Sequence, residues 1–197
     1  MLIRSARRGG FTLVEIMVAL AIIAMVMALA APSMLTWIQN TQLRNAAESI
    51  LGGIKQARYE AVNRNTTVAF ELQDPNSTQW HVCLYDVTTN TCKAAAPDLH
   101  AGGPSDGSPN ARAGIETVFT DFNTPLDPGI NLPALVAFDS FGRVAPSSPT
   151  NIVRVDVRNP VLAAADERRM SIFIGVGGGV RMCDPLLPLA TNPQGCQ

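Results

Sequence analysis

The sequence is short of the features that mark most enzymes and most nucleic-acid-binding proteins. Its 197 residues hold 15 lysines and arginines against 16 aspartates and glutamates, a net charge of −1. This balance excludes a generally polycationic DNA-binding protein and leaves only a local basic patch open. There is no P-loop, no G-x-S-x-G and no H-E-x-x-H motif. We therefore predict no catalytic residues and no cofactor, with a membrane-tethered enzyme as a remote alternative.

Two further patterns are incomplete. The glycine-rich run 175–179 would suit a dinucleotide loop, but Val180 stands where the last glycine is needed, and we interpret the run as a hairpin turn. The two histidines, His81 and His100, lack metal-ligand spacing, and the cysteines form no C-x-x-C pair. We predict no metal site and expect both histidines at the surface or in strands.

Cysteine is scarce but even in number, which fits an exported chain in an oxidising compartment. Four cysteines allow three pairings. We favour the two local ones, Cys83–Cys92 and Cys183–Cys196, because each closes a short loop that contains turn-forming residues.

Long apolar runs are absent except at residues 11–31, which follow a basic leader containing Arg4, Arg7 and Arg8. About twenty apolar residues suffice for a helix to cross a bilayer. The arginines before the run predict a cytoplasmic N-terminus and an exported remainder. A simple membrane anchor and a cleaved secretory signal are the alternatives, although a signal peptide has a shorter apolar core.

One charge, Glu15, interrupts this run about one helical turn from its start. A carboxylate at the centre of a bilayer costs about 2.5 to 3.5 kcal/mol, and less near an end. Considered alone, Glu15 is equally well explained as an interfacial charge that reaches the lipid headgroups.

Residues 7–15, Arg-Arg-Gly-Gly-Phe-Thr-Leu-Val-Glu, resemble the N-terminus of type IV pilins and pseudopilins. The resemblance implies that a prepilin peptidase removes leader residues 1–10, cutting between Gly10 and Phe11, and N-methylates Phe11. It also implies that Glu15 is a docking residue, which pairs with the terminal amine of a neighbouring subunit during filament assembly.

The helix is expected to continue beyond the apolar run, with a kink at Pro32. Residues 32–64 are predicted to form an amphipathic continuation, weakened by Gly52 and Gly53 at about 1 kcal/mol each. Its apolar positions fall three or four residues apart and share one face: Leu43, Ala47, Ile50, Ile54, Ala57 and Ala61.

Residues 65–197 change from a helical to a strand period and are predicted to form a β-rich head. We expect about seven strands, among them residues 115–122 and a half-buried strand at 151–157, with a long mobile loop at 94–114. The fold class is α+β: a long N-terminal helix packed on an antiparallel sheet or small sandwich, the architecture that the pilin resemblance also implies.

The C-terminal half resembles the GspH/FimT family through residues 138–144, 169–174 and 178–185. This family contains minor pilins near the type IV pilus tip (FimU-like), type II secretion pseudopilins (GspH-like) and DNA-binding competence pilins (FimT-like). The terminal cysteine pair and Cys-Asp-Pro favour the type IV pilus members. The implied partners are other minor and major pilins, prepilin peptidase and the inner-membrane assembly platform, with the head in the periplasm before incorporation into a pilus or pseudopilus.

DNA is the remaining candidate partner. FimT-like members carry Gly-Arg-x-Arg, and here the aligned residues are Gly178-Gly179-Val180-Arg181, so the first arginine is missing. The C-terminal half is mildly rich in arginine, and Arg181 and Arg143 are the candidate contacts. Because losing a phosphate contact weakens charge-driven binding, we expect any DNA binding to be weak. The alternative is that Arg181 is a strand residue beside a disulfide.

Overall fold

The computed structural model describes residues 10–93, 96–146 and 151–196, so the predicted leader lies outside it except for Gly10. One 52-residue helix, α1 (Leu13–Arg64), precedes nine strands. The strands are β1 (Val68–Leu72), β2 (Trp80–Asp86), β3 (Thr91–Cys92), β4 (His100–Gly102), β5 (Arg112–Glu116), β6 (Ala134–Phe138), β7 (Arg154–Arg158), β8 (Met170–Ile174) and β9 (Val180–Cys183). The architecture is the predicted long N-terminal helix followed by an antiparallel β head.

The chain divides into two compact units, Met1–Trp37 and Ile38–Gln197. Within the described residues, no single helix meets the length and hydropathy expected of a membrane span. The two segments Leu13–Leu29 and Ser33–Arg64, between which the helix is bent, meet that test together by length and composition. Pro32 lies in the interval between them, and its assignment as the cause of a kink stays a prediction.

The strands form two antiparallel sheets. In the first, the order is β3-β2-β1-β6, and β4 also pairs with β2. In the second, the order is β5-β7-β8-β9. Apolar side chains from α1, from both sheets and from the segments between them belong to one buried cluster. Residues 38–64 of the helix and the two sheets therefore share this core.

The predicted apolar face of the second half of the helix is the face that enters this core. Leu43, Ala47, Ile50, Ile54, Ala57 and Ala61 are all completely buried. Gly53 lies on the same face, and a Cβ there would come within 2.8 Å of the Phe70 and Trp80 rings. The glycine therefore makes room for the two aromatic side chains, which the sequence alone did not indicate.

A buried ion network holds the segment between β5 and β6 against the second sheet. Asp156 accepts hydrogen bonds from Arg154 at 2.6 and 2.9 Å and from Arg169 at 3.0 Å, and all three side chains are buried. The arginines in turn donate to the backbone carbonyls of residues 121–124. This irregular segment thus obtains from buried charges the hydrogen bonds that a strand would obtain from its neighbours.

Three expectations about the head were wrong. Residues 94–114 are not one loop, because they contain β4, a 3₁₀ turn at Pro104–Asp106 and the start of β5. The strand expected at 115–122 is β5, which ends at Glu116, and the described part of the head contains nine strands rather than about seven. The strand expected from residue 151 begins at Arg154 and is buried on both faces instead of one, since the ion network covers its polar side.

Candidate functional site

The first turn of α1 is closed by a reciprocal pair of hydrogen bonds. The Glu15 backbone N–H donates to Thr12 Oγ1 at 3.2 Å, and the Thr12 N–H approaches Glu15 Oε2 at 3.5 Å. This arrangement is a capping box, in which each side chain satisfies a backbone donor of the first turn. It holds the Glu15 carboxylate at the N-terminal end of the helix, one turn from Phe11.

The apolar side chains that the structure describes between residues 13 and 37 are exposed in every direction around the helix axis. Leu13, Met25 and Leu29 are 75%, 71% and 79% exposed, and side chains on the intervening turns are also largely exposed. The sequence between Glu15 and Arg44 contains no charged residue. A helix that is apolar all round is stable in lipid or among other apolar helices and not in water. The capped end and this apolar surface form one candidate assembly site.

The two arginines considered as DNA contacts lie on the head, and both have partners. Arg143 forms an ion pair with Asp139 at 3.2 Å and lies over the Phe141 ring. Arg181 is an exposed residue of β9 and donates to the Cys196 carbonyl at 3.0 Å, beside the second disulfide. Neither side chain is buried, so each presents charge to solvent.

Two glycines bring the turns that precede these arginines together. Gly178 has a φ of +77°, and a Cβ there would overlap the carbonyl oxygen of Gly142, so the position requires glycine. The same Gly142 carbonyl accepts a hydrogen bond of 2.8 Å from Arg58 on the helix. A shallow cavity of about 390 Å³ lies beside this junction and is lined by Lys55, Arg58, Tyr59, Val62, Gly178 and Val180.

Lys55 and Arg58 therefore add two cations of the helix beside the turns that precede Arg143 and Arg181, the candidate DNA contacts. Both were visible in the sequence as polar residues on the outer face of the helix. Their proximity to the Gly178 turn could not be inferred, because it depends on how the helix docks against the second sheet.

The structure contains both local disulfides, Cys83–Cys92 and Cys183–Cys196, with Cα–Cα distances of 5.6 and 5.0 Å. Beside the first, His81 is buried and contacts Glu71 Oε2 through Nε2 at 2.8 Å. This hydrogen bond raises the pKa of His81, and the charge of Asp98 acts in the same direction, against the opposing effect of burial. His81 lies in a strand, as expected, but the sequence gives no signal for this cluster, because only strand register brings Glu71 opposite His81.

The sequence of the chain matches two families. Residues 5–31 match the prokaryotic N-terminal methylation motif, and residues 46–178 match the type II transport protein GspH. The second match covers more than half of the chain. The chain belongs to the GspH family. Membership implies a structural rather than enzymatic protein, which is anchored in a membrane by its N-terminal helix and assembles with other pilins.

Two solved structures also resemble this GspH-family chain, both of the type IV minor pilin FimU from Pseudomonas aeruginosa PAO1. The crystal form in space group P21 is 17% identical, with a TM-score of 0.49 over 82% of this chain and 99% of that one. The form in P65 is 17% identical, with a TM-score of 0.47 over 78% and 99%. At these scores the likeness adds no argument to the family assignment. No functionally curated protein matches the chain significantly.

Proposed function

We propose that this GspH-family protein is a minor pilin of a type IV pilus, where it serves as a low-abundance subunit near the tip and helps to start assembly. Its function is to pack its N-terminal helix among the helices of other pilins. The observation that carries the proposal is the first half of α1, which exposes apolar side chains all round and bears a single carboxylate at its capped end.

Two environments suit such a helix in succession. Before assembly, residues 11–31 lie in the inner membrane with the head in the periplasm, because lipid accepts an apolar surface on all sides. During assembly, neighbouring pilin helices replace the lipid. The near-identical polarity of the two environments makes this transfer inexpensive.

Processing at the N-terminus prepares the docking contact. Prepilin peptidase cuts between Gly10 and Phe11 and methylates the new amine of Phe11. The amine is then a cation at the start of the helix. The Glu15 carboxylate of one subunit pairs with the Phe11 amine of the next, which offsets the cost of a charge in apolar surroundings.

The test is incorporation of a Glu15→Gln variant into filaments sheared from cells that lack the wild-type protein. Gln has the same length and can keep the capping contact with Thr12, but it cannot neutralise an amine. We expect the variant to accumulate in the membrane and to be depleted from filaments by tenfold or more, in keeping with the loss of about 1.4 kcal/mol or more per contact. Thr12→Val is the matched control, because it removes the cap and keeps the carboxylate.

Equal incorporation of Glu15→Gln and the wild type would contradict the proposed docking role.

The secretion alternative is tested in the same cells by placing a photo-crosslinking amino acid at Ile22, which is 58% exposed. Capture of type IV pilins supports the proposal, whereas capture of type II secretion pseudopilins assigns the chain to that machine instead.

DNA binding is a second candidate, favoured by the basic surface around the Gly142–Gly178 junction. At this junction, Lys55 and Arg58 of the helix lie beside the turns that precede Arg143 and Arg181. We expect weak binding that falls steeply with salt and is reduced by Arg181→Ala. A gel shift at low salt tests this, and the absence of any retardation would remove DNA from the list of partners.

A further inference from the structure

We propose that the reduced chain binds a zinc ion through Cys83, Cys92 and His81, with Glu71 as the fourth ligand. In the oxidised chain the same place is taken by the Cys83–Cys92 disulfide. The inference rests on the head alone and does not depend on the role of the N-terminal helix.

The register of the strands places the four proposed zinc ligands on one face of the first sheet. Glu71 of β1 and His81 of β2 are directly paired, and Cys83 lies two residues beyond His81 on the same face. Cys92 comes from β3, where it pairs with Tyr85 of β2. Three strands of one hydrogen-bonded sheet therefore fix the donors, and no loop has to rearrange to collect them.

Apart from the two sulfurs, which are bonded to each other, the donor atoms lie at nearly the spacing of a zinc site. His81 Nε2 lies 3.2 Å from Cys92 Sγ, and Glu71 Oε2 lies 3.3 Å from the same sulfur and 2.8 Å from Nε2. The candidate ligand atoms of His81, Cys83 and Cys92 are all within 4.8 Å of one another. Tetrahedral zinc with bonds of about 2.0 to 2.3 Å places its ligands about 3.3 to 3.8 Å apart. The two sulfurs must therefore move apart once the disulfide is broken, whereas His81 Nε2 and Glu71 Oε2 are already close to that distance from Cys92 Sγ.

The surroundings of His81 also suit a metal ligand. Its other ring nitrogen, Nδ1, is 2.8 Å from the Gln73 side-chain amide and 3.5 Å from Asp98 Oδ1. A histidine that binds zinc through Nε2 needs an acceptor for its Nδ1 proton, and a carboxylate or an amide oxygen provides one. Asp98, or Gln73 with its amide turned, fulfils this role and keeps Nε2 directed at the sulfurs.

The disulfide form is converted to the zinc-bound form in two steps, reduction of the S–S bond and binding of zinc. A dithiol reductant transfers two electrons and two protons, so that the S–S bond breaks, both sulfurs become thiols and the reductant becomes a disulfide. With a phosphine, water supplies the two protons and its oxygen ends on phosphorus as the phosphine oxide. Zinc then displaces the two thiol protons and binds the thiolates and neutral His81. Because both sulfurs are used in either form, bound zinc and the disulfide exclude each other, and zinc should slow reoxidation.

The second disulfide provides an internal control. Among the residues that the structure describes, Cys183 and Cys196 belong to no comparable group of His, Cys, Asp and Glu ligands. Reduction of that pair alone should create no zinc site.

The experiment uses the full chain in detergent micelles with Cys183→Ser and Cys196→Ser, so that only one pair of thiols remains. The protein is reduced with a phosphine under anaerobic conditions and titrated with zinc against a chromophoric chelator. We expect one zinc per chain in the reduced protein and none after oxidation. Cys92→Ser and His81→Ala should lose the site, and Gln73→Leu should weaken binding about 10- to 100-fold.

A reduced, folded protein that takes up no zinc would overturn the proposal, as would equal uptake by the Cys83→Ser/Cys92→Ser double variant. Circular dichroism checks that the head remains folded. If the Cys183→Ser/Cys196→Ser background does not fold, the reduced wild type is compared with Cys83→Ser/Cys92→Ser, and a difference of one zinc per chain is then required.

Discussion

Residues 13–37 and 38–64 are two halves of one helix, but their apolar side chains have opposite surroundings. In the first half, Ile22 is 58% exposed and Leu29 79% exposed. In the second half, Ile50 and Ile54 are completely buried against the sheets of the head. Both halves are α-helical, so the difference follows from the pattern of apolar residues in each half and from what that half packs against.

This difference separates two properties of the protein. The second half completes the core of its own head and contributes to the stability of one chain. Among the residues that the structure describes, the first half packs against no such core within its own unit, so its apolar surface serves lipid or other subunits. Matched substitutions in the two halves, and in the head that the second half packs against, should therefore affect different measurements.

The largest expected effect comes from removing one carboxylate in the head. Asp156→Asn removes the carboxylate that the buried guanidinium groups of Arg154 and Arg169 share, so that Arg169 loses its ion-pair partner and Arg154 keeps only Glu116 at 3.5 Å. Uncompensated buried charge costs about 3 to 5 kcal/mol, so we expect the head to unfold at much lower urea concentration. Glu15→Gln is the control, and it should leave that urea midpoint unchanged because Glu15 lies outside the head. Equal stability of Asp156→Asn and wild type would show that the network is not needed.

A smaller effect follows from shortening one isoleucine in each half of the helix. Ile54→Ala removes buried atoms and leaves a cavity, at a cost of about 2 to 4 kcal/mol of unfolding free energy. Ile22→Ala should change that free energy by less than about 0.5 kcal/mol. The readout is urea unfolding followed by the fluorescence of buried Trp80, in a Trp37→Phe background. A comparable loss in both variants would contradict the separation of the two halves.

Two adjacent glycines in the second half of the helix have different surroundings, so the same substitution should have opposite effects on stability. Gly53→Ala places a methyl group against Phe70 and Trp80, and overpacking of this kind costs about 1 to 3 kcal/mol. Gly52 faces open space, so Gly52→Ala should stabilise the protein by about 0.5 to 1 kcal/mol through helix propensity. Thermal melts of the two variants should shift in opposite directions, and two stabilising shifts would mean that Trp80 moves aside easily.

Local patterns in the sequence predicted much of this molecule. The apolar face through Leu43, Ile50 and Ile54 follows from helical spacing, and the two short-range disulfides follow from cysteine separation and turn residues. The capping box of Thr12 and Glu15 was also readable as T-x-x-E, although the pilin resemblance directed attention to Glu15 alone.

The remainder depends on contacts between distant segments. Arg154 and Asp156 alternate with valines, and that pattern normally means a polar face in solvent. Here the segment from Asp121 to Leu126 folds over the polar face and buries it, as its backbone bonds to both side chains show. The local sequence of neither segment predicts that residues 121–126 cover Arg154 and Asp156. For the same reason Gly53 was interpreted as a weak point, since the Trp80 ring that requires it lies on a different element.

The smallest expected effect is a pH dependence of head stability in the oxidised protein. The hydrogen bond that His81 donates to the Glu71 carboxylate raises the pKa of His81 above its ordinary value of 6.5, and Asp98 acts in the same direction. A raised pKa means that the folded state binds the proton more tightly than the unfolded state. The stabilisation is therefore complete below about pH 6.5 and is lost as the pH rises through the folded-state pKa.

His81→Gln removes this titration while keeping a polar side chain beside Glu71. We expect the variant to be less stable than wild type by about 1 kcal/mol at pH 5.5, with the gap narrowing towards pH 9. Urea unfolding across this pH range, in metal-free buffer without reductant, gives the measurement. Ile22→Ala should follow the wild-type profile throughout, because the titrating group belongs to the head and the first half of the helix has no part in it. A difference in unfolding free energy that stays constant with pH would show that His81 contributes only its packing. A difference that grows at high pH would contradict the raised pKa of His81.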